Sequence, residues 1–146
     1  MQALARFIGE WQVEGTWADG SKLQARGVYS WGLGKKILKA KTFVMDKGKE
    51  YQRYDGVMAW HPDKKCLFQI SFAFDGHISE TVIEPKGDDT LQIGFTPFHR
   101  DQPGMVRQVI KFKDKDHFVW TVTLKQGEKW KQLIEATWAR KGARTQ

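Results

Sequence analysis

A turn signal interrupts this chain about every ten residues, and the runs between the signals alternate apolar with polar side chains. Ala18-Asp19-Gly20-Ser21, Asp46-Lys47-Gly48-Lys49, Asp75-Gly76 and Gln126-Gly127-Glu128-Lys129 are hairpin punctuation, and Pro62 fixes another turn. The runs predict strands over Trp11–Trp17, Lys22–Trp31, Lys36–Met45, Tyr51–Trp60, Cys66–Phe74, His77–Glu84, Thr90–Phe95, Met105–Phe112, Phe118–Leu124 and Trp130–Arg140. Thr96–Gly104 reads as an irregular stretch, and residues 2–8 as a short helical turn ended by Gly9. Short links imply antiparallel neighbours. About ten strands in one open sheet would leave two bare edges, and closure removes them. The expected fold is therefore all-β: a single antiparallel up-and-down barrel over residues 1–140, with a flexible tail at 141–146. A two-sheet sandwich would need longer crossing loops than the chain provides.

The two ends carry the closure argument. Gly9-Glu10-Trp11 opens the first strand and Trp138-Ala139-Arg140 ends the last. In a closed barrel these strands are neighbours, so Arg140 is expected to cover the Trp11 ring as a structural closure. Trp11→Ala is then expected to cost several times more than Arg140→Ala.

The remaining totals limit function. A chain of 146 residues, 40% of them hydrophobic, suits one globular domain with a sizeable core. The net charge of +7 invites a nucleic-acid partner. The lysines are interleaved with core residues and turns, however, which reads as a solvated outer face, so no nucleic-acid partner is expected. Cys66 is the single cysteine, which excludes an intrachain disulfide and a cysteine metal cluster. It reads as a small core residue. No stretch approaches a membrane span. The N-terminal segment lacks a signal peptide's basic region and apolar core, as in a cytoplasmic protein or an exported one whose leader has been removed. Monomer and homodimer are both open.

Barrel interiors and mouths hold small-molecule sites. The expected lining residues are Tyr54, Met58, Phe68, Ile70, Phe72 and Trp120, with Val122 beside them. Glu80, Gln108 and Gln132 share the parity of apolar neighbours and would orient a ligand if they point inward. An inward Glu80 would have a raised pKa; the matching parity of Glu84 favours an exposed face instead. No pair of histidines has metal-ligand spacing, so no metal is expected. His77 and His99 are the candidates should a haem be bound, though no cofactor is expected. There is no nucleophile motif. The expected function is non-catalytic binding of a small hydrophobic or amphipathic molecule. The alternatives are a barrel enzyme (isomerase, cyclase or haem-dependent oxidoreductase) and a closed-core interaction module.

Five segments carry a family resemblance: 7–11 (Phe-Ile-Gly-Glu-Trp), 27–33 (Gly-Val-Tyr-Ser-Trp-Gly-Leu), 60–64 (Trp-His-Pro-Asp-Lys), 116–120 (Asp-His-Phe-Val-Trp) and the pair 127–130 with 137–141. In this order and spacing they resemble an uncharacterised bacterial lipocalin-like domain family of the calycin superfamily. His61 departs from it, where an acidic residue precedes the proline. The resemblance implies a barrel and a generic ligand-binding role, and no specific ligand.

Overall fold

The structure is a computed structural model that describes residues 1–99 and 102–143, the side chains of 95–99 and 102–104 excepted. A 3₁₀ helix (Gln2–Phe7) precedes strands β1 (Gly9–Thr16), β2 (Lys22–Gly32), β3 (Ile37–Asp46), β4 (Lys49–His61) and β5 (Cys66–Ala73). Then follow β6 (Ile78–Pro85), β7 (Thr90–His99), β8 (Gln102–Asp114), β9 (His117–Gln126) and β10 (Lys129–Arg140). All pair antiparallel in sequence order, and β1 pairs with β10 to close the barrel. The stretch 96–104, expected to be irregular, instead extends β7 to His99 and starts β8 at Gln102, with register shifts after Ile93 and Pro97. The shifts let two strands continue through a segment whose alternation is broken by Pro97 and Pro103.

The N-terminal helix plugs one end. Its Leu4 and Phe7 are buried. Phe7 stacks on Tyr29 at 5.1 Å and meets Phe112 and Phe118 edge-on. Burial against these rings pushes the Tyr29 phenol up to about 12. The unfolded chain releases that proton near pH 10, so the phenol favours folding below pH 10 and the contribution fades between pH 10 and 12. Spectrophotometric titration should therefore show a late tyrosinate step that is missing in Tyr29→Phe. A titration curve identical in the two proteins would contradict the placement.

Trp11 and Arg140 are register partners across the β1–β10 seam. The guanidinium carbon lies 4.3 Å from the ring centroid of Trp11, which is fully buried and donates its indole N–H to Phe7 O at 2.7 Å. Gly9 explains the Gly-x-Trp spacing. Its φ is +120°, and a Cβ there would lie 2.6 Å from a guanidinium nitrogen of Arg140. The glycine leaves room for the arginine to reach across the seam.

Candidate functional site

Register decides which face of each strand lines the barrel, because directly opposed residues share a face. Fully buried Leu38 opposes Met58, Met58 opposes Gln69, and Gln69 opposes buried Thr81. One step along, Leu67 opposes Ile83 and Ile83 opposes Ile93, all buried. The inward face of β5 is thus Leu67, Gln69, Ser71 and Ala73. Its larger apolar set points out.

Four expected lining residues are corrected by this register. Phe68, Ile70 and Phe72 lie on the outer face of β5, and Glu80 lies beside Ile70 on the outer face of β6. Phe72 is 51% exposed and Glu80 is exposed. Phe68 is buried from outside, with His61 at 5.3 Å and the Lys64 ammonium at 4.6 Å from its ring. Cys66 shares this outer face and is half-buried, so it is not a core residue. Gln132 opposes Thr123 and is exposed on the outer face. The other four expected residues lie on the inward face. Met58 is buried, and Tyr54 opposes Ala73 near the barrel's far end, 42% exposed. Trp120 donates its indole N–H to Gln108 Oε1 at 2.7 Å. Gln108 also opposes buried Val122 and Ile93.

The interior is therefore divided. Toward the plug, aromatic rings interlock: Trp11, Phe118, Trp138 and Trp120 follow one another at 4.7, 5.9 and 6.1 Å, and Trp17 continues the series beyond Trp120 at 5.9 Å. Away from the plug, the β4–β6 wall turns small and polar, with Gly56, Ser71, Ala73 and Ser79 facing inward. Ser71, Ala73 and Ser79 are half-buried, so water reaches that wall. Gly56 tolerates nothing larger, since a Cβ there would lie 2.7 Å from Ile70 O.

Two polar atoms on this wall are buried without a hydrogen-bond partner: Gln69 Oε1 and His77 Nε2. His77 continues the inward face from the β5–β6 hairpin, where Ala73 N–H donates to His77 O at 2.8 Å. A buried polar atom that lacks a partner costs about 1–3 kcal/mol, so each of these two is a place where a water or a bound molecule can supply the bond, as it also can for Arg107 Nε and Thr123 Oγ1 on the outer face. Gln69 was not expected from the sequence. The signal was there: polar Gln69 and Ser71 lie on the face opposite four aromatic or aliphatic side chains, on a strand whose neighbour carries Glu80 on the apolar side. His99 has its side chain outside the described residues. Among the described residues no three carboxylate, imidazole or thiol groups gather as a metal site. No helix is long and apolar enough to cross a membrane among them.

No protein-family model and no curated protein matches the chain. Solved structures do. An S-type phycobiliprotein lyase, CPES, from Guillardia theta matches 98% of this chain over 93% of its own, at 11% identity and a TM-score of 0.61. A redesigned β-barrel matches 95% of each chain at 16% identity and a TM-score of 0.52. Another redesigned barrel, bound to DFHBI, matches 96% of this chain and 100% of its own at 16% identity and a TM-score of 0.51. At these identities the likeness establishes the fold alone, a closed antiparallel β-barrel.

Proposed function

We infer that this barrel binds a small amphipathic molecule non-covalently, in the half of its interior away from the helical plug. The observation that carries this reading is the inverted β5, which places Gln69, Ser71 and Ala73 inside and the phenylalanines outside. A barrel built only to be filled would do the reverse. The ligand's apolar body would lie against the Trp120 side, and its polar groups would meet Gln69 Oε1 and His77 Nε2. Two barrels of this fold point the same way: one is a phycobiliprotein lyase by name, and one holds DFHBI. The segment order noted above further supports membership of the uncharacterised lipocalin-like family.

Trp120 provides the readout. Titration with oleate, retinol, biliverdin, haemin and DFHBI should give saturable quenching of tryptophan emission by at least one probe, with Kd at about the micromolar level. Ser71→Phe should abolish it by occupying the wall while leaving far-UV circular dichroism unchanged. No saturable response to any probe would count against the reading. If haem is the molecule bound, His77 Nε2 would be the ligand atom on this wall. A Soret band on haemin addition, absent in His77→Ala, would support that variant, and a band unchanged in His77→Ala would exclude it.

A further inference from the structure

The same inversion gives the barrel an apolar outside. On β4–β6 the outward apolar set is Val57, Ile70, Phe72, Ile78 and Val82, continued by Phe74 at the hairpin tip and bordered by Asp55 opposite Phe72 and Glu80 opposite Ile70. Phe72, Ile78 and Phe74 are 51%, 57% and 70% exposed. Phe74 meets the Tyr51 ring edge-on at 5.3 Å, and all three side chains stand largely open to solvent. Scattered exposed apolar residues need no explanation, but a contiguous patch across three strands does.

Charge indicates what fits there. Reading outward residues across β3–β4–β5–β6, one row runs Lys39, Val57, Ile70, Glu80. It is basic at one end, apolar in the middle and acidic at the other. Adjacent strands lie about 4.8 Å apart, so Lys39 and Glu80 are about 14 Å apart and cannot pair within one chain. The neighbouring row runs Ile37, Ala59, Phe68, Val82. Reversed and laid on itself, the first row brings opposite charges together, and the second sets small Ala59 against Phe68.

We propose that this face is the interface of a symmetric homodimer, its two-fold axis running along the strands between β4 and β5. That operation sets Lys39 of each copy over Glu80 of the other. It also sets Val57 over Ile70 and Ala59 over Phe68. An isologous contact needs such self-complementarity, and a two-fold is the commonest way for a soluble chain to satisfy it. The next row runs Lys41, Asp55, Phe72, Ile78; Lys41 and Asp55 oppose each other in register, and the operation lays that charge pair over Ile78 and Phe72 of the other copy.

Sedimentation velocity on the whole chain tests this. The wild type should sediment as a dimer at about 100 µM, and Lys39→Glu and Glu80→Lys should each weaken association about tenfold or more by setting like charges face to face. The double variant K39E/E80K should restore it, because the swap re-forms both pairs. Phe72→Asp, at an exposed position, should dissociate the dimer with circular dichroism and thermal unfolding midpoint retained. A wild type that stays monomeric at this concentration overturns the proposal and leaves the face to a different protein. A dimer that Phe72→Asp leaves intact overturns it too, as does failure of the double variant to recover.

Discussion

Trp11→Ala is expected to destabilise the barrel by about 3–5 kcal/mol, the cost of deleting a fully buried indole and leaving a cavity. The cavity cannot collapse easily, because the ring is held on several sides. Phe118 lies 4.7 Å away, the Arg140 guanidinium covers one face at 4.3 Å, and the indole N–H is bonded to Phe7 O. Losing the ring also strands that carbonyl at the end of the plug. Arg140→Ala should cost about 2–4 kcal/mol, closer to the Trp11 effect than a cation–π contact of about 0.5–2 kcal/mol alone would give. The reason is that Arg140 does more than cover a ring. It donates to Arg6 O at 3.0 Å, to Lys115 O at 2.9 Å and to Ile8 O, and it pairs with Asp116 at 3.2 Å. One side chain therefore ties the plug, the entry to β1 and the β8–β9 turn to the last strand. Gly9→Ala should show part of the same loss, since its methyl group would displace the guanidinium. Denaturant unfolding of the three variants checks the order. If Arg140→Ala and Gly9→Ala both prove neutral, the seam is held by backbone pairing alone.

The closure was legible because it depends on residue types that act locally and meet by topology. A Gly-x-Trp and a late arginine are informative wherever the first and last strands adjoin. The lining was less legible, and β5 shows why. Its apolar alternation is strong on one face, and period two alone assigns that face to the core. Register reverses the assignment, because a shift of one residue turns every side chain over. The Asp75-Gly76 hairpin contained the missing constraint. It pairs Phe72 with Ile78, hence Ile70 with Glu80, and so binds the apolar face of β5 to an acidic face of β6. An outward Glu80 and an inward Phe72 are incompatible. On β8 and β9 no such conflict arises: Gln108 and Trp120 share parity with buried Ile110 and Val122, and they lie inside.

Gln69→Leu should stabilise the unliganded barrel by about 1–3 kcal/mol while weakening ligand binding. Gln69 Oε1 is buried with no partner, so the amide oxygen bears a desolvation cost that the folded protein does not recover by itself. Leucine has nearly the same volume and no polar atom, and its neighbours across the strands are Met58 and Thr81. Removing an unpaired polar group from such a place relieves the cost without opening a cavity. The same change deletes the hydrogen bond proposed for the bound molecule, so any probe that quenches Trp120 should bind at least tenfold more weakly, about 1.4 kcal/mol. Stability and binding then move in opposite directions, as expected of a residue kept for a ligand. A loss of stability in Gln69→Leu would mean that the amide contributes to packing, and unchanged binding would mean that it never meets the ligand. Either result would return the polar wall of β5 to a purely structural role, and only the opposed pair of effects supports its use in recognition.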